Sequence, residues 1–529
     1  MIGPTVPACD EGVIRAAARP LRCPEGSKRW VLAAAILGSS MAFIDTSVVN
    51  VALPAIQADL ALPLSRAQWI VNAYMLMLGS LVLLGGSAGD RFGRRRVFAA
   101  GAVLFTAASI ACGLAPGATA LITARAIQGV GGALLIPSSL AIVSGAFPER
   151  ERGRAIGSWA GASALTTALG PVLGGWLVDT WSWRAIFFVN VPIASVLLFL
   201  TFRHVPEGRS ESEKAALDWP GALLATAGLG AIAYGLTSAS GAGWMYPLVS
   251  VCLLAGVSLL GIFLWWEAHT VSPMMPLGLF RSGTFSGANT MTILLYFALG
   301  GALFFVPFDL VRIQHYPATL AGAAFLPFSL IMGGLSRWSG ALIDRYGARR
   351  PLIIGPLIAS AGFALLAVPG IGGSYWTTFF PAMVVLGFGM AVSVAPLTTT
   401  VMGAVEDSHA GIASGTNNAA ARIAGMLAVA VLGTLAVGVF ARTLDQRLTQ
   451  LGTPPEIRQA LQAEAPKLAE AEVPARVGAQ RRSLQLALAE SFVSSFRAIT
   501  LVAASLALLS ALCAWLTIHP SDKAGQSRP

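Results

Sequence analysis

What this chain has least of is charge. Only 11% of its 529 residues are Asp, Glu, Lys or Arg, against about a quarter in ordinary soluble domains. A water-soluble enzyme or binding module of this length is excluded, because its surface would have to be built from apolar side chains. Cysteine is sparse too. The five, Cys9, Cys23, Cys112, Cys252 and Cys513, show no C-x-x-C spacing and fall in apolar runs or in the amino-terminal tail. They read as buried small residues or free thiols, not as metal ligands or a disulfide framework. There is no H-E-x-x-H and no phosphate-binding G-x-x-x-x-G-K-[ST], and the histidines (His204, His269, His315, His409, His519) are scattered over loops and ends. GGSAG (85–89, around Ser87) fits a nucleophile-elbow pattern and GLGAIA (228–233) a dinucleotide pattern. Each chemistry needs a strand before its turn, and both stretches lie inside long apolar runs. No enzyme is expected.

What is present is hydrophobicity in long blocks. Apolar residues make up 55% of the chain and the mean hydropathy is +0.70. They fall into runs of about 18 to 25 residues, enough to cross a bilayer as helices. The runs place helices near 30–54, 68–89, 96–115, 118–147, 154–178, 184–202, 220–240, 246–266, 287–308, 318–343, 350–369, 374–402, 410–439 and 492–518. The expected fold is an all-α membrane protein with fourteen transmembrane helices. The first apolar run is too long for a cleavable signal peptide. An even number of crossings puts both termini on one side. One face collects 21 of the 35 basic residues, through the tail (Arg15, Arg19, Arg22, Lys28, Arg29) and the loops DRFGRRR, PERERGR and DRYGARR. The short opposite loops hold only Arg66, Arg184 and Arg312. The positive-inside rule makes the basic face cytoplasmic. The net charge of +10 therefore reports topology, not nucleic-acid binding. Segment 441–490 has seven basic and six acidic residues on the outer side, and long segments cross with less regard to charge.

One phrase is written twice. GSAGDRFGRRR (86–96) and GALIDRYGARR (340–350) each close one helix and open the next on the basic face. If both mark the second helix of a repeat, the halves are the first six and the last six helices. The expected division is a tail 1–29, an amino-terminal half 30–202, a linker 203–286 carrying two extra central helices, a carboxy-terminal half 287–518 with the long outer loop 441–490, and a tail 519–529. Such repeats build many secondary transporters, with the substrate path between the halves.

On these residues the chain resembles the major facilitator superfamily, and within it the fourteen-helix drug:proton antiporters. Asp45, Thr46, Asn50, Val51, Ala52, Leu53 and Pro54 match the family's first-helix signature. GSAGDRFGRRR is similar to the superfamily loop motif, with Ala88 where Leu is usual. ARAIQGVGGA supplies Arg125, Gln128 and Gly129 in the fourth helix. LGPVLGGW is similar to the antiporter motif through Gly170, Pro171, Gly174 and Gly175, with Thr166 in place of its leading glycine. WSWRAIFFVNVP (181–192) resembles the opening of the sixth helix. The resemblance implies proton-driven efflux of amphipathic, often cationic drugs, antibiotics or dyes by alternating access, with no cofactor.

The residues allow a physical assignment of roles. A carboxylate at membrane depth must be protonated, paired or facing water, and alternate pairing and burial make it bind and release protons. Asp45 is that acid and Arg125 its expected partner. Asp90, Arg91, Gly93 and Arg94, with Asp344, Arg345 and Gly347 in the second copy, are the expected conformational switch, the glycines permitting tight turns. Gly170, Pro171, Gly174 and Gly175 are the expected gating seam, a bend beside a flat face. The substrate path is assigned to Asn50, Trp69, Tyr74, Gln128, Asn418 and Arg422. Arg337 is expected to snorkel to the basic face, and Asp309 lies near the outer end of the ninth helix. The outer segment caps the mouth, docks a periplasmic adaptor or is a solvated tether. Export of one endogenous metabolite or self-made antibiotic, and a non-transporting membrane sensor, are the alternative functions.

Overall fold

The computed structural model describes residues 25–207, 217–243, 245–405, 410–474 and 480–518. At a few helical positions, Arg337 and Asp344 among them, only the backbone is described. Within these limits there are fourteen helices long and apolar enough to cross a membrane. We number them α1 (Lys28–Asp59), α2 (Leu64–Phe92), α3 (Arg94–Gly113), α4 (Ala118–Ala146), α5 (Glu149–Thr180), α6 (Ala185–His204), α7 (Trp219–Ala242), α8 (Pro247–His269), α9 (Gly283–Phe308), α10 (Ala318–Ala323 continued by Leu326–Tyr346), α11 (Arg349–Leu366), α12 (Tyr375–Gly403), α13 (Ala410–Gln450) and α15 (Arg481–Thr517). α14 (Pro455–Glu464) is a short polar helix outside the bundle.

At ~1.5 Å per residue even the shorter spans reach roughly the ~30 Å of a hydrocarbon core. α10 is broken after Ala323, and Pro327 sits in the first turn of its second segment, where its missing N–H costs nothing. α13 and α15 extend further than hydropathy indicates, to Gln450 and from Arg481. Their polar extensions each carry an apolar stripe at helical spacing: Leu444 and Leu448 on α13, Leu484 and Leu488 on α15, all buried. Packing, not lipid, holds these turns.

α1 packs on α5, α4 on α2 and α3; in the other half α9 packs on α15, and α12 on α10 and α11. The halves meet along α2–α13 and along α5–α10. The extra pair is lopsided. α8 turns Leu254, Val257 and Trp265 outward, as a lipid-facing helix does. α7 lies in the groove between the halves. From α2, Trp69 Nε1 donates to Thr237 Oγ1 at 3.0 Å, and Thr226 Oγ1 donates to Ser80 Oγ at 2.8 Å. From α13, Thr434 Oγ1 donates to the Leu236 carbonyl at 2.6 Å. α7 is thus a brace fastened to both halves.

The face opposite the basic loops carries a lid. α14 and the 3-10 turn Ala465–Glu470 lie over the bundle, with Leu461, Ala465 and Leu468 buried. Gln57 of α1 donates to the Lys467 carbonyl at 3.1 Å. Arg312, in the π-helical turn Asp309–Ile313 that ends α9, pairs with Glu470. The lid therefore touches both halves. The described residues of the outer segment thus lie against the bundle.

Candidate functional site

The apolar interior of the amino-terminal half encloses one ionic cluster. α1 supplies Asp45, which is 3% exposed; α4 supplies Arg125, which is 1% exposed. Arg125 Nη1 donates to Asp45 Oδ2 at 2.5 Å, and Gln128 Nε2 donates to Asp45 Oδ1 at 2.8 Å. Arg125 and Gln128 stand one helical turn apart, so both reach the same acid. Gln128 Oε1 accepts from Arg125 Nη1 at 2.8 Å, and Arg125 Nε donates to the Ile70 carbonyl of α2 at 3.1 Å. The guanidinium carbon lies 4.2 Å from the Tyr74 ring centroid, a cation–π contact in a dry site. Both oxygens of the acid are engaged. Desolvating two ions is costly, and such a pair persists best when further hydrogen bonds hold it; Asp45 has both oxygens bonded, and Arg125 bonds through Nε and Nη1. Three α-helices thus converge on one buried ion pair.

A second constellation joins the halves. On α5, Gly170 and Gly174 face α1, where an added Cβ would meet Ser47 Oγ at 1.9 Å and Val48 Cγ1 at 2.9 Å. Gly175 and Pro171 face α10 instead. A Cβ on Gly175 would lie 2.2 Å from the Ala318 carbonyl oxygen, and one on Gly322 would lie 2.0 Å from that of Pro171. Only glycine lets these backbones approach so closely. One turn beyond, Asp179 accepts from the Ala318 and Thr319 amides at 3.0 and 2.7 Å and from Thr319 Oγ1 at 2.5 Å. A carboxylate of one half thus satisfies the free amides that open a helix of the other. Toward the basic face, Gly161 and Gly334 on the same two helices have nothing within 4 Å of an added Cβ. The seam is shut at the lidded face.

The two D-R-x-G phrases form matching turns. Gly93 and Gly347 both have positive φ, 103° and 72°, a backbone that costs other residues dearly. Asp90 Oδ1 accepts from Arg94 at 2.9 and 3.1 Å, and Arg94 Nη1 reaches the Ala141 carbonyl of α4 at 3.1 Å. In the second copy Arg349 donates to the Trp515 carbonyl of α15 at 2.8 Å. Each turn is therefore tied to its own half here. Arg91 and Arg345 lie over the neighbouring rings of Phe92 and Tyr346; the side chain of Asp344, like that of Arg337, lies outside the described residues.

Of the residues assigned to the substrate path, Tyr74 and Gln128 belong to the ionic cluster. Trp69 faces α7, through its bond to Thr237. Asn50, on α1, has a buried Oδ1 without a hydrogen bond. Asn418 donates to its own helix, to the Ser414 carbonyl at 3.4 Å. Arg422 stands in the α2–α13 seam, its Cβ 3.3 Å from where one on Gly79 would sit. Asp309, buried in the π-turn, accepts from Gln314 Nε2 at 2.9 Å. Sequence reasoning missed Asp179 and the Gln57–Lys467 contact. Both depend on backbone groups far away in the chain, which no local pattern reveals.

Two six-helix halves about a central seam, one burying an ion pair at membrane depth, define a multi-span membrane transporter. The family model of the Major Facilitator Superfamily matches residues 35–429. The chain belongs to that superfamily, and so is a transporter and not an enzyme. It is 35% identical to the multidrug resistance protein Stp of Mycobacterium tuberculosis, over 90% of each chain. It is 37% identical to the puromycin resistance protein pur8 of Streptomyces alboniger over 80% of this chain and 84% of that one. It is 31% identical to the tetracenomycin C resistance and export protein of Streptomyces glaucescens over 94% and 93%. Among solved structures, a bacterial homolog of the human lysosomal transporter Spinster superposes with a TM-score of 0.66 at 17% identity, covering 95% of this chain and all of that one. That likeness is one of fold.

Proposed function

We propose that this protein exports amphipathic, cationic drugs, antibiotics or dyes across the inner membrane in exchange for protons, opening first to one face and then to the other. The observation that carries the proposal is the sealed cluster around Asp45, whose two oxygens are both engaged by α4. An intramembrane acid held by a single cation changes its whole surroundings when it gains one proton. Neutral Asp45 no longer holds Arg125, which keeps the Ile70 carbonyl and the Tyr74 face, and α1 is then free to shift against α4. On this reading the basic face and both termini are cytoplasmic. The α5–α10 seam, shut at the lidded face and open at the other, then admits cargo from the cytoplasm. Asp179, Gly175 and Gly322 act as the outer gate, and Asp90 with Arg94 as the switch that resets it. The names of the relatives, in multidrug resistance, puromycin resistance and tetracenomycin export, support small organic cargo.

A narrower reading, one antibiotic or metabolite per transporter, draws on the two relatives named for single compounds. Inverted membrane vesicles holding a preset proton gradient separate the two. Gradient release by several unrelated cations, lost in Asp45→Asn, is the expected result. Release by one compound only favours the narrow cargo. Full release in Asp45→Asn would make Asp45 a structural acid and sink the coupling role.

A further inference from the structure

The brace has an acid site of its own, at its basic-face end, which proton coupling at Asp45 does not use. Asp218 caps α7: its Oδ1 accepts from the Gly221 amide at 2.9 Å and from Trp266 Nε1 at 2.8 Å. Glu267, near the end of α8, accepts the Met275 amide on Oε2 at 3.0 Å. Each carboxyl thus has one oxygen engaged and one left over. The remaining two, Asp218 Oδ2 and Glu267 Oε1, are buried without a hydrogen bond, with the Met274 amide as the other backbone donor near Glu267. They crowd one point in space. A Cβ added to Gly221 would stand 2.4 Å from Oδ2 and 2.9 Å from Oε1. Asp218 is 7% exposed and Glu267 3%.

Among the described residues, no cation pairs with either acid. His269, the next titratable group on α8, is bonded to the Trp265 carbonyl at 2.8 Å. On α2, Asp90 is taken by Arg94 and Arg91 lies over Phe92. On α13, Arg422 sits far up the seam, at the level of Gly79.

Two ionised carboxylates facing each other in a dry site repel, and neither can be paired by water. One proton between the free oxygens replaces that repulsion with an O–H···O⁻ bond of the strong, charge-assisted kind. A calcium or magnesium ion would require about six oxygen ligands, and only two oxygens point here. We propose that Asp218 and Glu267 form a one-proton site, filled from solvent at the basic face, which locks α7 to α8 at the foot of the brace. Since α7 is fastened to both halves, occupancy of this site sets how firmly the brace is seated, separately from Asp45.

The test needs no cargo, so it stands or falls apart from the export proposal. Thermal unfolding of the full chain in lipid nanodiscs is followed from mildly acidic to mildly alkaline buffer, for the wild type, Glu267→Gln and Asp218→Asn. Loss of the shared proton sets two charges against each other, so the wild-type melting temperature should fall as pH rises. An amide at 267 donates the same hydrogen bond without titrating, so Glu267→Gln should flatten that fall. A flat wild-type profile, or parallel profiles in wild type and variant, overturns the proposal. If Glu267→Gln does not fold, Asp218→Asn serves instead, since it keeps an acceptor for Gly221 and offers a donor to Glu267. Replacing sodium with an organic cation at fixed pH provides the last arm. A wild-type melting temperature that follows sodium, while the variant's does not, means a metal ion rather than a proton and overturns the proposal as well.

Discussion

Each half of the molecule buries a polar cluster, and the two are made of different chemistry. In the amino-terminal half Asp45, Arg125 and Gln128 form an ionic network across α1 and α4. In the carboxy-terminal half Asn417 of α13 donates to Thr292 Oγ1 at 2.6 Å and to Asn289 Oδ1 at 3.2 Å, both on α9. Both clusters tie one helix to another in an apolar setting, and either would serve as interhelical glue. Only the first can change its charge. An amide–hydroxyl network keeps the same protons at every ordinary pH, whereas a carboxylate–guanidinium pair is a single protonation away from a lone cation. The difference teaches that the halves share a scaffold and bury different chemistry, an ion pair on one side and an amide–hydroxyl joint on the other.

The sharpest way to break this comparison is at the ion pair. Asp45→Ala leaves Arg125 buried without its counter-charge and should cost about 3–5 kcal/mol of stability, measured by thermal unfolding. Asp45→Asn with Arg125→Gln should recover most of that loss and still fail to couple transport to the gradient. Recovery of coupling in the double variant would place the proton site elsewhere. Next comes the seam. Gly175→Leu drives a side chain into the Ala318 carbonyl, an overpacking penalty of about 1–3 kcal/mol on the state closed at the lidded face. Cysteine labelling of that face should rise about tenfold or more, with turnover falling accordingly.

Asn417→Ala sharpens the contrast from the other side. It should cost about 1–2 kcal/mol and leave the proton dependence of transport unchanged. The smallest effect belongs to the lid. Burial raises the Glu470 carboxyl above its ordinary value, with Arg312 pulling it partly back. The seated lid therefore holds a proton more tightly than the lifted lid does, so seating is favoured at low pH and weakens as pH rises through that raised value. Glu470→Gln should remove this dependence, so that labelling of a cysteine placed at Leu461 follows the same pH profile as a cysteine on an exposed loop, set by thiolate formation alone.

The fourteen crossings were legible because each carries an apolar run near bilayer length, a signal that depends on composition alone. The ends of α13 and α15 were not, since their last turns stand beyond the apolar run, held by Leu444, Leu448, Leu484 and Leu488. Asp45 and Arg125 stood out as rare charges inside apolar helices, whereas Gln128 was assigned to the substrate path, its bond to Asp45 being visible only in the fold. Gly175 was legible as part of a glycine-rich bend, though not that it faces Ala318 while Gly174 faces Val48. Asp179, Asp218 and Glu267 sit at helix ends, where a carboxylate usually means a solvated cap. Only the fold shows that the first spans the seam and that the other two face each other.

The brace has one more consequence. The threonines that fasten it, Thr226 and Thr237 on α7 and Thr434 on α13, each also reach a carbonyl one turn back on their own helix, Ala222, Ala233 and Ala430, at 2.7, 2.8 and 3.0 Å. A hydroxyl that lets go of the neighbouring helix keeps a home for its hydrogen. α7 is then less a rivet than a zip, whose threonine hydroxyls stay bonded when it comes undone, while the Trp69 indole N–H must find a new acceptor. On the proposed alternating-access mechanism, two helices added to a twelve-helix plan need not slow its rocking.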